Sequence, residues 1–255
     1  MINKNTIIST SDSDEIRLCL SKACDAYTKS LFSGRCLFTK FLTPLEAREI
    51  SMRFPKGEVD ISFFGGYDGA ERTVASFGRQ NEEYPLCALE IVQKGKTALS
   101  HRDYLGSVLS LGIKRELVGD ILVKDDGAVL FCLEEIADYI SDNLTKIANS
   151  GVSVSRCNGD DAKNMERNFE KRSSTVSSLR LDAVVASAIS KSRGVAAELI
   201  GRSLVSHNYK EATSVSQGVK DNDVITVRGF GKYLINTDEK LTKKGRIHID
   251  ISKYA

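Results

Sequence analysis

Between Leu86 and Arg156 the hydrophobic pattern switches repeatedly between a period of two and a period near 3.6, and this constrains the fold more than any other stretch. "LCALEIVQ" reads as a strand. Ser100 then caps "HRDYLGSVLSLGI", a helix. "DILVK" and "AVLFCL" follow as two strands joined by an Asp-Asp-Gly turn at Asp125–Gly127, a strong hairpin signal. "EEIADYISDNLTKIA" returns to helical spacing, and "VSVSR" closes the block as a strand.

Two β-α-β halves in so short a span predict a ferredoxin-like βαββαβ sandwich, the architecture of RNA-recognition modules and of many unrelated enzymes. Such modules read bases with exposed aromatics on their central strands. Here only Phe131 is available on the third strand, so a structural or docking role for that face is favoured over RNA reading.

Upstream, Ile16, Leu20, Ala23, Tyr27 and Leu31 recur at helical spacing, with Asp12, Ser13 or Asp14 as the cap. Thr43, Pro44 and Glu46 spell a capped helix start, and that helix runs to about Phe54. "VDISFFGG" and "RTVASFG" flank "YDGAE" as a hairpin. "FFGGYDGAE" lacks the Lys and Ser/Thr of a phosphate loop. Asp68 and Glu71 could pair as acid and base, but nothing nearby supplies a nucleophile. The whole reads as α+β: an N-terminal αβ unit over 1–80, the ferredoxin-like domain over 81–157, a polar linker over 158–176 and a C-terminal domain over 177–255.

Charge divides along the same line. The last 85 residues carry 15 Lys and Arg against 8 Asp and Glu, while the first 170 carry 21 against 26. A basic third beside an acidic remainder suggests that the C-terminal segment meets a polyanion. Leu181, Val184, Val185, Ala188 and Ile189 form a helical stripe with Asp182 in its first turn. Ser192 caps a second short helix that carries Val195, Ala196, Leu199 and Ile200 inward. "SLVSHN", "ATSVS" and "DVITVRGFGKYLI" read as short strands, so two helices pack on a small twisted sheet. Lys191, Arg193, Arg202, His207 and Lys210 cluster at the ends of the second helix, where rigid cations could meet phosphates.

Six cysteines show no C-x-x-C pair and sit mostly in apolar runs, so they read as reduced core residues rather than disulfides or zinc ligands. His101, His207 and His248 lack partners at metal spacing. No metal or cofactor is expected. The N-terminus has neither a signal-peptide nor a transit-peptide pattern, and no run of apolar residues is long enough to span a bilayer, so a cytoplasmic protein with no membrane partner is expected.

"LRLDAVVASAISKSRGVAAELIGRSLVSHN…SVSQGVKDNDVITVRGFGK" resembles the RNA-binding domain first described in ribosomal small-subunit protein S-four. Arg180-Leu181-Asp182, Ser192-Arg193, Ala197, Ile200, Val205, Asn208, Asp223, Ile225, Gly229 and Lys232 fit that motif over some sixty residues. Ser203 stands where Gly is usual, His207 where an apolar residue is usual, and Asn222 where Gly usually precedes the Asp. "LSHRDYLGSVLSLGIKRELVGDILV" and "LTKKGRIHI" are similar to the flanking stretches of the YlmH family of bacterial proteins.

The resemblance implies binding to structured RNA, ribosomal RNA or tRNA on the large ribosomal subunit, in the quality control of stalled nascent chains; genes of this family lie near cell-division genes. It implies RNA contacts at Arg180, Ser192, Arg193, Arg202, Asn208, Lys210 and Lys232; Lys191 and His207 of the cation cluster and the basic Arg228 join them as candidate contacts, and no catalytic residue is expected. Two rivals stay open. An RNA-modifying enzyme of pseudouridine synthase or methyltransferase type would need a loop around Asp182 that the sequence lacks, since Leu179 replaces the usual Gly, or a glycine-rich cofactor loop that is missing. "HRDYLGSV" mimics a kinase catalytic loop without its Asn, leaving His101 and Asp103 as first-turn helix residues. The other rival is an adaptor whose acidic N-terminal region holds a quality-control or division protein while the C-terminal third anchors it to RNA.

Overall fold

The computed structural model describes residues 2–9, 13–55, 57–79, 83–95, 98–157, 169–238, 241–242 and 245–254. The chain divides into two compact units, Met1–Glu166 and Arg167–Ala255.

The first unit opens with α1 (Lys4–Ser9) and α2 (Asp14–Ser33). Ser13 caps α2, its Oγ accepting from the Ile16 N–H, and the apolar stripe of Ile16, Leu20, Ala23 and Tyr27 is buried as its spacing requires. Strand β1 (Leu37–Leu42), which has no clean alternation, leads into α3 (Pro44–Arg53). There the Glu46 carboxylate accepts from the Thr43 N–H at 2.7 Å while Thr43 Oγ1 accepts from the Glu46 N–H at 3.3 Å, a reciprocal capping box. Strands β2 (Ile61–Phe64) and β3 (Thr73–Phe77) form the expected antiparallel pair, and β1 completes a three-stranded sheet in the order β1-β3-β2.

Next come β4 (Leu86–Gln93), α4 (His101–Ser110), β5 (Val118–Lys124), β6 (Gly127–Leu133), α5 (Glu134–Asn143), β7 (Lys146–Ile147) and β8 (Ser150–Arg156). The antiparallel sheet runs β5-β6-β4-β8-β7, the ferredoxin-like order with β7 added at one edge. His101 and Asp103 lie in the first turn of α4, where Asp103 accepts from the Ser100 N–H at 2.8 Å. The second helix is shorter than its apolar spacing suggests. It stops at Asn143 because Lys146 and Ile147 fold back and pair with Gly151 and Ser150.

Helices α4 and α5 cover one face of this sheet, burying Leu89, Tyr104, Val108, Leu130, Ala137 and Ile140. The opposite face, which an RNA-recognition module would leave open, is also covered. Val129, Phe131 and Leu133 of β6 bury against Phe41, Tyr67 and Val74. Phe131 is therefore not available to a base: it is 1% exposed, and Tyr67 stacks on it with ring centroids 4.8 Å apart. The second glycine of "FFGGYDGAE" makes this contact possible. Gly66 has φ +103°, and a Cβ there would lie 2.4 Å from the Phe131 ring.

The same loop is tied down by a buried carboxylate. Asp120, on β5, accepts from Tyr67 Oη at 2.9 Å and from the backbone N–H of Glu71 at 2.7 Å. Beside it, Arg72 donates to the carbonyls of Val118 and Phe41, and Arg115 donates to Gly119 O. Burial pushes both guanidiniums down; Arg115, pressed further by the charge of Arg72 and relieved in part by Asp120, falls to about 10. Asp68 is exposed, while the Glu71 N–H is committed to Asp120.

In the second unit, residues 169–176, which the sequence presents as the end of a polar linker, form strand β9 (Phe169–Val176). It pairs along its full length with β14 (Ile247–Tyr254), which gives the polar run "FEKRSSTV" its backbone partners. Helices α6 (Leu181–Ala188) and α7 (Arg193–Gly201) follow, then β10 (Val205–His207), β11 (Lys210–Glu211), β12 (Asp223–Val227) and β13 (Gly231–Asn236). The six-stranded antiparallel sheet runs β11-β10-β12-β13-β14-β9. "ATSVS" is not a strand. It crosses the start of α6, where the carbonyls of Gln217 and Val215 accept from the N–H groups of Leu181 and Asp182, donors that a helix cannot satisfy internally. The core lies between the helix pair and one sheet face, with Leu181, Val184, Val185, Ala196 and Ile200 meeting Val205, Ile225, Ile235, Ile249 and Ile251.

Candidate nucleic-acid interface

The motif residues Arg180, Asp182 and Arg193 converge. Asp182 lies in the first turn of α6 and is 7% exposed. One oxygen accepts from Arg180 Nε at 3.2 Å and the other from Arg193 Nη2 at 2.6 Å. Burial alone would raise this carboxyl, but the hydrogen bonds and charges of the two guanidiniums hold it below the usual carboxylate range. Both arginine side chains remain about half exposed, at 42% and 51%. Each guanidinium has five N–H donors, so each keeps donors for an outside acceptor while the carboxylate fixes its plane. Ser192 serves as the cap of α7, its Oγ accepting from the Val195 N–H at 3.3 Å, and Lys191 is exposed beside it.

A second basic group stands at the other end of α7, roughly 12 Å away by the helical rise. Arg202 is exposed and pairs with Glu198 one turn back at 3.2 Å. The Arg228 N–H donates to Leu204 O at 2.8 Å, which places this exposed residue at the same end, and Lys210 is exposed on β11. The helix closes in a Schellman motif: the N–H groups of Ser203 and Leu204 donate to the carbonyls of Ile200 and Leu199, each at 3.0 Å. Ser203 has φ +56° there, which explains why Gly is usual at that position. Asn222, the other departure from Gly, has φ +62°.

His207 turns inward: it is 7% exposed, and its Nε2 is 2.6 Å from Asp223 Oδ2. Asn208 is likewise held inward: its Nδ2 donates to Asp223 Oδ1 at 2.6 Å, and its Oδ1 accepts from the Val224 N–H at 2.9 Å. Asn208 and Tyr209 both have positive φ, as the two-residue turn from β10 to β11 demands. Burial works against the Asp223 charge, yet hydrogen bonds from Asn208, the Lys220 N–H and His207 keep its carboxyl low.

Lys232 is also separated from the arginines. Its neighbour Tyr233 points into the core under the helices, so alternation sends Lys232 to the opposite sheet face. Its Nζ sits 4.7 Å from the ring centroids of both Tyr209 and Tyr254. The ten residues expected from sequence are thus dispersed: a group around Asp182, a group at the end of α7, two residues bonded to Asp223 and one lysine on the far face. The sequence marks Asp182 as a first-turn and motif residue without showing that it bonds both arginines. Its spacing to Arg193, eleven residues on in the next helix, gives no local signal of their contact.

An α+β chain with a doubly covered ferredoxin-like sheet, and a helix pair flanked by basic residues on a further antiparallel sheet, defines the class. Residues 79–161 match the family described as "Putative RNA-binding domain in YlmH". The chain is 31% identical over 225 residues to the "Ribosome-associated protein quality control protein P2" of Bacillus subtilis, covering 86% of this chain and 88% of the relative. The chain belongs to the YlmH family. Its fold resembles that of the "Cell division protein ylmH from Streptococcus pneumoniae", with a TM-score of 0.50 and 24% identity over 60% of this chain and 98% of the other.

Proposed function

We propose that the chain is a non-catalytic, cytoplasmic RNA-binding protein that engages structured RNA on the large ribosomal subunit, ribosomal RNA or tRNA, during quality control of stalled nascent chains. The contact is carried by an S-four-type domain beginning at β9, and the observation behind the reading is the pair of half-exposed guanidiniums that Asp182 fixes. Fixed donors lose less freedom on meeting phosphate than free side chains do. Family membership and the quality-control name of the Bacillus relative support the same reading. The covered face of the central sheet turns attention to the second unit, because the base-reading surface of the domain matched as RNA-binding is occupied by Tyr67 and its neighbours. Pseudouridine synthesis is disfavoured, since the aspartate it would use is buried and bound to two arginines.

A second, compatible reading has its own observation. Helix α5 exposes Glu134, Glu135, Asp138 and Asp142, and although Arg156 pairs with Glu134 and Asp138 the group keeps a net negative charge that suits a basic protein partner.

The test is co-sedimentation with large subunits, small subunits and free tRNA at two salt concentrations, comparing the wild type with the Arg180→Gln, Arg193→Gln double variant. Glutamine is chosen because glutamate would set a further carboxylate beside Asp182. Salt-sensitive association with large subunits, with a log–log salt slope lower by roughly 1–2 in the variant, is expected. An unchanged slope in a folded variant overturns the assigned contact.

A further inference from the structure

Cys87 and Cys132 stand directly opposite each other on β4 and β6. Two residues along the same ladder, the Glu134 N–H donates to Pro85 O at 2.9 Å. By the alternation of antiparallel pairs, this makes Cys87 and Cys132 a hydrogen-bonded pair, with Cα atoms about 5.5 Å apart, within the range that a disulfide spans. The Cys87 thiol donates to Ala88 O at 3.6 Å.

A third group distinguishes the two sulfurs. Arg156, on β8, points Nη1 at Cys87 Sγ at 3.3 Å. It is held there by Glu134 at 2.6 Å and Asp138 at 2.8 Å, both on α5. Cys87 is 8% exposed and Cys132 is fully buried. Two cysteines that serve only as small apolar residues have no need of a guanidinium steered onto one of them.

We propose that Cys87 and Cys132 are a reversible oxidative-modification site, with Cys87 as the peroxide-sensitive thiol and Cys132 as the thiol that resolves it into a disulfide across the sheet. The neighbouring Cys132 pulls the Cys87 thiol down, burial opposes it and Arg156 assists. The Cys132 thiol is driven up by the neighbouring Cys87 and by burial, which leaves Cys87 the more acidic of the two. Burial pushes the Cys19 thiol up to about 12 and raises that of Cys24, which leaves those two inert by comparison.

With hydrogen peroxide the atoms balance. The Cys87 thiolate attacks one peroxide oxygen, the O–O bond breaks, and protonation of the departing hydroxide gives a first water with Cys87 as sulfenic acid. Cys132 sulfur then attacks Cys87 sulfur and loses its proton, an S–S bond forms and a second water leaves. Two thiols are oxidised and one peroxide is reduced.

The intact protein is exposed to hydrogen peroxide, quenched, alkylated under denaturing conditions and mapped by mass spectrometry. The expected product is a Cys87–Cys132 cross-linked peptide, formed before modification of Cys19 or Cys157 and reversed by dithiothreitol. Cys132→Ala should stop at a Cys87 sulfenic acid that dimedone traps, and Arg156→Gln should slow the reaction several-fold. Full alkylation of Cys87 and Cys132 in the wild type while Cys19 or Cys157 is oxidised overturns the proposal, and this readout depends on no variant folding.

Discussion

Asp182 and Arg193, eleven residues apart and on different helices, meet at 2.6 Å, and Arg180 closes on the other oxygen of the same carboxylate. Breaking that contact should loosen both arginines at once. Asp182→Asn is expected to destabilise the protein by about 1.5–3 kcal/mol, the range for hydrogen bonds to charged groups. It should also weaken RNA binding although no RNA-contacting donor has been removed. Denaturant unfolding and RNA titration on the same preparation check both effects.

The two carboxylates held low, Asp182 and Asp223, also set an acid limit. Their folded-state values lie below the unfolded one, about 3.9, so their stabilisation is complete above that pH and fades as pH falls through the folded values. Unfolding followed between pH 6 and pH 2 should show this fall, and Asp223→Asn should flatten it.

His207 gives a prediction of opposite character. His207→Ala opens space in the core and removes a partner of Asp223, at an expected loss of about 2–3 kcal/mol. The salt slope of RNA binding should stay at the wild-type value. A lower slope would return His207 to the contact surface.

Ser203 and Asn222 occupy the same backbone region at different cost. Ser203→Gly should stabilise by about 0.5–1 kcal/mol through relief of the left-handed conformation, less what its hydroxyl gains from Glu211. Asn222 tolerates that conformation and accepts from Asn236 Nδ2 at 2.8 Å, so Asn222→Gly should fall within about 0.5 kcal/mol of wild type. Thermal melts of the two variants, side by side, check the contrast.

Phe131→Ala should cost about 3–5 kcal/mol, as deletion of a buried aromatic does, and leave RNA binding by the folded fraction intact.

Much of this was legible in the chain because the signals are local. The capping box at Thr43 and Glu46, the cap at Ser192, the stripe from Leu181 to Ile189 and the alternation of β4 to β8 each declare an element within a few residues. What escaped depends on contacts distant in sequence. Strand β9 is polar and exists through its ladder with β14, more than seventy residues away. Phe131 reads as a free aromatic until Tyr67 and Gly66 are known to lie on it. A basic segment likewise announces positive charge but cannot say which residues turn inward, and His207 and Asn208 do so because Asp223 needs partners.

The aromatic layer over β6 also bears on how the chain is made. Phe41, Tyr67 and Val74 find their burial on Val129, Phe131 and Leu133, residues synthesised well after them. While translation proceeds from the N-terminus, the early αβ segment has its own small core but an uncovered apolar flank. That flank stays open until β6 has cleared the exit tunnel. The N-terminal third is therefore most vulnerable to misassociation during its own synthesis, and it becomes secure when a strand near the middle of the chain arrives to close it.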